Sequence, residues 1–119
     1  MIMKSYTDLE QSKALAKILP IESADMRYQA HYNSKGDLDY VPKFTSAIIP
    51  LKVDISCWSL SALLGVLPEY NLQRTDWGNK TEYKIVVTVK DDNYASKNYD
   101  NPVDACVDMI FKLKELKML

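Results

Sequence analysis

Apolar and polar residues alternate one by one along the segment that we predict to form the first hairpin of the chain. From Met26 to Tyr32 every second residue is apolar or aromatic, and the residues between them are polar. Residues 33–36 are of types that favour a turn, and residues 38–41 are predicted to form the return strand, which ends at Pro42. Alternation around a polar, glycine-containing turn is typical of a β-hairpin. We therefore predict two antiparallel strands here.

The second half of the chain predicts another hairpin. Residues 72–77 are predicted to form a strand that ends before the turn dipeptide Gly78-Asn79. Residues 81–90, after this turn, are rich in β-branched side chains. The middle of that last stretch is apolar on both faces, which favours a central strand. A further strand is predicted after Pro50, over residues 51–55, because proline is tolerated where a strand begins.

Three segments show helix signals. Thr7 and Glu10 have the spacing of a capping box, and the helix that follows is predicted to run to about Leu19 before Pro20. Ser59 is predicted to cap a helix over residues 60–67, which is apolar nearly all round and therefore expected to be buried.

Asn101 and Pro102 are predicted to begin the last helix. Its apolar face comprises Val103, Cys106, Val107, Ile110, Phe111, Leu113. Early aspartates and late lysines along this helix complement its dipole.

These elements predict one α+β domain over residues 1–119. We expect an antiparallel sheet of about four to five strands with two to three helices packed on it, in the order α-β-β-(β)-α-β-β-α. Residues 91–100 are predicted to be a polar loop. A helix, a Leu-Pro pair and a hairpin occur in that order twice, at Leu19-Pro20 and at Leu67-Pro68. This recurrence is either a weak repeat or chance.

Composition narrows the classes of function. The 119 residues carry 15 basic and 16 acidic side chains, so the net charge is −1 and no basic surplus exists for a nucleic-acid polymer. The three glycines lie far apart, which excludes a glycine-rich phosphate loop. No stretch is long and apolar enough to predict a signal peptide or a membrane span, so we expect a cytoplasmic protein.

Catalytic and metal-binding residues are scarce. His31 is the only histidine and lies on the polar side of the first hairpin, while Cys106 is predicted to be a buried thiol. Asp91, Asp92 and Asp100 match no calcium-loop spacing and are expected to be solvated. We therefore predict no enzyme activity, no cofactor and no metal. A hydrolase that uses Cys57 is the third hypothesis.

The predicted starts of the second and last helices, at Ser59 and Asn101, indicate a binding site for a ligand instead of a catalytic site. A helix N-terminus offers free amides to an anion, and a neighbouring aromatic ring can stack on a base. If the starts converge, or meet across a homo-oligomer, they form a pocket for a small anionic, nucleotide-like ligand, and we expect the protein to be a homo-oligomer. The predicted ligand-binding residues are Trp58, Ser59, Arg74, Trp77, Tyr99, Asn101. The competing interpretation is that Trp58 fills the core and Asn101 only caps its helix.

Protein binding is the alternative function. Tyr94 and Tyr99 lie among asparagine and serine residues in the 91–101 loop, a composition typical of adaptable recognition loops. In this hypothesis the chain is a protein–protein inhibitor or adaptor that acts through this loop or through a sheet edge.

Several segments also carry a resemblance to known sequences. The segments are residues 7–12, 19–26, 57–64 with Leu67-Pro68, and 99–106. They resemble uncharacterised small proteins encoded by phages, prophages and mobile elements of Bacteroides-type gut bacteria. The resemblance implies an origin and transfers no catalytic residue. By analogy with phage accessory proteins, it implies a role against host defence in the host cytoplasm, by sequestering a small nucleotide signal or binding a host protein.

Overall fold

The chain has an α+β fold, as predicted. The computed structural model describes residues 3–44 and 54–119, and of Phe44 it describes the backbone alone. Within these ranges the helices are α1 (Leu9–Leu15), α2 (Leu60–Val66) and α3 (Pro102–Glu115), with a short 3-10 helix at Ile21–Ser23. The strands are β1 (Met26–Tyr32), β2 (Leu38–Phe44), β3 (Ile55–Cys57), β4 (Tyr70–Asp76), β5 (Thr81–Val89) and β6 (Asp92–Ala95). Most of the strand predicted at 51–55 lies outside the described residues.

The strands divide between two antiparallel sheets rather than forming one. The first sheet has the order β2-β1-β3 and the second has the order β4-β5-β6. The central position predicted for β5 is confirmed. The repeat of helix, Leu-Pro and hairpin does not extend to topology, because the first strand of the hairpin is central in one sheet and the second strand is central in the other.

Tight turns close both predicted hairpins. In the first, the N–H of Gly36 donates to the carbonyl of Asn33 at 3.0 Å, and the N–H of Asn33 donates to Asp37 at 2.8 Å. Gly36 has φ +82°, which gives a three-residue loop with a glycine bulge. In the second, Gly78 has φ +75° and is the first central residue of a two-residue turn, the position that a type II′ turn reserves for glycine.

The polar loop predicted at residues 91–100 is partly wrong. Lys90 and Asp91 have φ values of 50° and 70°, so the chain reverses directly after β5. Positive φ at both central residues is the geometry of a type I′ turn, which normally takes asparagine and glycine. Because neither residue is present, the turn carried no recognisable signal and β6 was not predicted.

Strand β2 continues through Pro42 instead of ending there. Asn33 and Asp37 form a hydrogen-bonded pair at the turn, so alternation makes the pair of Tyr28 and Pro42 a non-hydrogen-bonded one. The nitrogen of Pro42 therefore points away from β1, and no ladder bond is lost. Proline is tolerated at such a position because β2 is an edge strand.

The helix starts follow the capping rules, with one shift. Asp8, not Thr7, caps α1: its side chain accepts the N–H of Gln11, whose side chain accepts the N–H of Asp8 in return. The helix ends at Leu15, and turns replace the predicted last turn of helix before Pro20. The caps predicted at Ser59 and Asn101 are confirmed.

Burial is greatest around α3. The main core lies between this helix, α2 and β5, and its fully buried members are Leu15, Trp58, Leu63, Ile85, Val87, Val103, Ala105, Cys106, Met109, Ile110, Leu113. Helix α2 is less buried than its apolar sequence predicted, since Leu63 is its one fully enclosed residue among those described. A second, smaller cluster contains Met26, Tyr28 and Cys57, against which Tyr6 and Leu9 pack.

Candidate functional site

The start of α3 is occupied by side chains of this chain. The Asn101 side chain accepts the N–H of Asp104 at 2.8 Å, and its amide nitrogen donates to Asp100 at 2.7 Å and to Asp104 at 2.9 Å. Asn101 itself is buried. Two carboxylates therefore lie at the end of the helix where an anion was predicted to bind.

Lys4 links this helix start to the N-terminal segment, residues 4–12. Its Nζ donates to Asp8 at 3.0 Å and to Asp104 at 2.9 Å, and Gln11 Nε2 donates to Asp104 at 2.7 Å. Burial acts to lower the pKa of Lys4, but the bonds to both carboxylates outweigh it and raise that pKa. Burial acts to raise the pKa of Asp104, but bonds from Lys4, Asn101 and Gln11 lower it overall. The ammonium group of Lys4 is thus already paired with the carboxylates of Asp8 and Asp104.

The start of α2 is similarly satisfied. Ser59 Oγ accepts the N–H of Ala62 at 3.1 Å, and Ser59 donates both its N–H and its hydroxyl to the carboxylate of Asp25. Trp58 is 0% exposed, and its indole N–H donates to Ser23 Oγ at 3.0 Å. The ring has no accessible face on which a base can stack, so the placement matches the competing interpretation of Trp58 as a core residue.

Strand β4 and the turn after it carry the remaining predicted residues. Arg74 lies opposite Tyr83, which forms a bridge to Tyr99, so these three residues share a row on one face of the second sheet. Alternation places Trp77 on the other face, where it is 62% exposed. Arg74 is paired with Asp76 at 3.3 Å. The structure therefore brings Arg74 and Tyr99 into one row and leaves Trp77 apart.

The two tyrosines of the alternative hypothesis are partly covered by the rest of the protein. Tyr94 lies on β6 opposite Val87, and both Tyr94 and Tyr99 are half-buried against the main core. Burial and the neighbouring Asp108 raise the pKa of Tyr99. These rings lie back on the protein instead of projecting from a loop.

An exposed apolar face on the first hairpin was missed as a candidate site. We call it the hairpin face, and it comprises Ala30, Tyr32, Leu38, Tyr40, Pro42. Tyr32 and Leu38 are cross-strand partners and are 75% and 43% exposed. They lie on the same side of β1 and β2 as the buried Met26 and Tyr28. The face therefore begins in the second core cluster and continues into solvent.

The signal for this face was present in the alternation itself. The aromatic side of β1 extends for the full seven residues of the strand, whereas β3 pairs only with its first three, Met26 to Tyr28. Beyond these three residues the side chain of Asp54 lies against β1. Its carboxylate accepts the N–H of Ala30 at 3.3 Å and pairs with Arg27 at 3.4 Å. Among the described residues, the distal hairpin is thus a two-stranded ribbon with one apolar side.

A shallow groove of about 300 Å³ adjoins the root of the hairpin. It is lined by Met3, Lys4, Ser5, Tyr6, Asp8, Tyr28. The rings of Tyr6 and Tyr28 meet edge to face with centroids 6.4 Å apart, and the Tyr28 hydroxyl donates to the Thr7 carbonyl at 2.7 Å. Burial and the neighbouring Cys57 raise the pKa of Tyr28. The phenol is therefore a neutral structural donor at the floor of the groove.

In the part of the chain that the structure describes, no reactive arrangement surrounds Cys57. The thiol is 0% exposed, donates to the Thr7 carbonyl at 3.5 Å, and has a pKa raised by burial. His31 is exposed and lies opposite Asp39 on the other side of the hairpin. Among residues 3–44 and 54–119, no group of three or more His, Cys, Asp or Glu side chains is arranged to hold a metal ion.

Comparisons with known proteins supply no further assignment. No family model matches the chain, and neither a curated protein nor a solved structure matches it. In the part of the chain that the structure describes, none of the helices has the length and apolar character needed to cross a membrane.

Proposed function

We propose that this protein is a non-enzymatic binding protein that acts on another protein through the hairpin face. The observation that carries the proposal is the exposed pair of Tyr32 and Leu38 on the side of the hairpin that is buried at its root. Contiguous apolar surface on a soluble domain marks interaction sites. Tyrosine suits this role because its ring buries a large area and loses little side-chain entropy.

The surroundings of the face indicate the kind of partner. Lys35, Asp37 and Asp39 lie at or beside the hairpin tip, so the rim carries both signs of charge. An apolar centre with a polar rim of mixed charge is the usual anatomy of a protein–protein interface. We therefore infer a partner with an apolar patch of matching size. If the resemblance to phage-encoded proteins reflects origin, that partner is a host protein and the chain acts as an inhibitor or adaptor.

The geometry supports a small anionic ligand less well. At both helix starts a backbone N–H already donates to the cap side chain, and Asp100 and Asp104 lie beside the start of α3. Negatively charged side chains near a helix N-terminus oppose the attraction that the helix dipole exerts on an anion. Arg74, the cation predicted to balance the ligand, is paired with Asp76.

The test is capture of a partner by matched variants of the full chain. Immobilised wild-type protein is incubated with bacterial lysate, the retained protein is identified, and its affinity is remeasured with purified material. We expect Tyr32→Ser combined with Leu38→Ser to weaken binding by roughly 100-fold, as loss of two central interface side chains does. Val41→Ser is the control, because Val41 is an exposed apolar residue of β2 on the opposite face.

Two results would count against the proposal. One is a partner that binds the Tyr32 and Leu38 double variant as tightly as the wild type. The other is a rise in the melting temperature when cyclic or linear nucleotides are added to the wild type, if the double variant shows the same rise. Circular dichroism of each variant checks that the hairpin is still folded.

A further inference from the structure

Strand β4 presents an open edge to solvent. The N–H of Trp77 donates to the carbonyl of Lys80, so the hydrogen-bonded pairs of this hairpin fall at Thr75, Gln73 and Asn71. The residues between them direct their N–H and C=O groups away from β5; they are Tyr70, Leu72, Arg74, Asp76. In the described residues β4 has β5 as its one neighbouring strand.

The other sheet edges are shorter or interrupted. Edge strand β2 contains Pro42, which removes one outward N–H, and the edge strands β3 and β6 have three and four residues. Natural proteins protect edges by such devices, because a long unprotected edge pairs with another strand. Strand β4 has seven residues and no proline, so it is the edge of the described fold that is open to pairing.

We propose that β4 pairs antiparallel with β4 of a second copy of this chain, about a two-fold axis at Gln73. This register overlaps all seven residues of the strand. It places Leu72 opposite Arg74 of the second copy and Tyr70 opposite Asp76 of the second copy. Every outward N–H then faces an outward carbonyl, which gives about eight backbone hydrogen bonds and joins two sheets into one of six strands.

The side chains along this edge are compatible with self-pairing. Arg74 and Asp76 neutralise each other at 3.3 Å, so two copies of the edge do not repel. On the other face Asn71, Gln73 and Thr75 are uncharged, and the two Gln73 side chains meet at the axis, where amides can exchange hydrogen bonds. A register centred on Arg74 would set two like charges face to face, which is destabilising.

Trp77 adds apolar area at each end of the pair. It follows β4 directly, is 62% exposed, and in the same register lies opposite Glu69 of the second copy. A seven-residue strand pair is small beside a standard interface of about 1,600 Å². We therefore expect a weak, reversible dimer.

Sedimentation equilibrium of the full chain tests the inference, and it needs no partner protein, so its outcome is independent of the proposed function. The mass should rise from 13.6 kDa toward twice that value as the concentration increases. Arg74→Pro removes an outward N–H without breaking a bond to β5, and we expect it to weaken the dimer by at least about 10-fold. Arg74→Ala removes the same charge but keeps that N–H, so it is the matched control, and it should dimerise at least about 10-fold more tightly than Arg74→Pro.

A second variant keeps the test decisive if the proline disturbs the strand. Gln73→Lys brings two cations together at the axis and should weaken the dimer in a manner relieved by salt. Dimer formation should also shift the emission of Trp77 to shorter wavelength, whereas the buried Trp58 stays constant. A chain that remains at 13.6 kDa at every concentration, or folded Arg74→Pro and Gln73→Lys variants that dimerise as well as the wild type, would overturn the inference.

Discussion

Replacing Lys4 by methionine should loosen the attachment of the N-terminal segment to α3. The lysine is 27% exposed at its side chain and bonds to Asp8 and Asp104 at 3.0 and 2.9 Å. Methionine keeps the length and apolar stem but leaves the two carboxylates without their shared cation. Each partly exposed charge-assisted bond contributes about 0.5 to 1 kcal/mol, so we expect a loss of about 1 to 2 kcal/mol in the free energy of unfolding.

The pH dependence of this loss follows from the direction of the pKa shifts. Asp8 and Asp104 have pKa values below their ordinary 3.8 in the folded state, so their contribution is present above that pH and is lost as the pH falls through the lowered values. The pKa of Lys4 is raised above 10.5, so its contribution is present below that pH and is lost as the pH rises through the raised value. The wild type should therefore exceed the variant most between about pH 5 and 10.

Urea unfolding followed by circular dichroism measures the difference at neutral pH and at about pH 3. Lys13→Met is the matched control, because Lys13 is exposed and lies 4.0 Å from the exposed Glu10. It should leave the stability unchanged. The reasoning is refuted if Lys4→Met costs nothing at neutral pH, or if its cost is the same at about pH 3, below the ordinary carboxyl pKa of 3.8, where the contribution of Asp8 and Asp104 is already declining.

Three further outcomes are expected. Asp91→Gly should raise the stability by about 0.5 to 1 kcal/mol in thermal unfolding, because glycine adopts the positive φ of 70° without strain; a lower melting temperature contradicts this. Cys57 and Cys106 should react with a thiol reagent only after unfolding, since both are buried and burial raises the pKa of Cys106 to about 12; rapid labelling of the folded protein contradicts it. Tyr28→Phe should cost about 1 to 2 kcal/mol in urea unfolding, because the Thr7 carbonyl loses a buried donor at 2.7 Å; an unchanged midpoint contradicts it.

The elements that the sequence predicted best are those with local signals. Strand β1 was predicted with its observed bounds, and Asn101-Pro102 placed the start of α3 correctly. The capping box of α1 was displaced by one residue because Thr7–Glu10 and Asp8–Gln11 both have the required spacing. Such neighbouring alternatives are decided by tertiary contacts: Thr7 is buried, and its hydroxyl bonds to Ser12 at 2.8 Å.

Features that depend on distant pairing were not predictable in this way. The division into two sheets rests on β3, which pairs with β1 across a separation of about thirty residues. The surroundings of the candidate pocket were not predictable for the same reason, because local spacing identified Ser59 and Asn101 as helix starts but not the Asp25 and Asp104 side chains that bond to them. The hairpin face was visible as alternation, but its exposure depends on how far the core extends beneath it.

The bond between Lys4 and Asp104 joins residues one hundred positions apart, and it has a consequence for biosynthesis. A ribosome releases the N-terminal segment long before α3, so a nascent chain lacks the partner to which Lys4 and Gln11 attach. The native position of that segment is therefore completed only after α3 has been synthesised. A stalled or truncated chain that lacks α3 would expose the apolar residues of the main core, which makes it a substrate for chaperones and proteases.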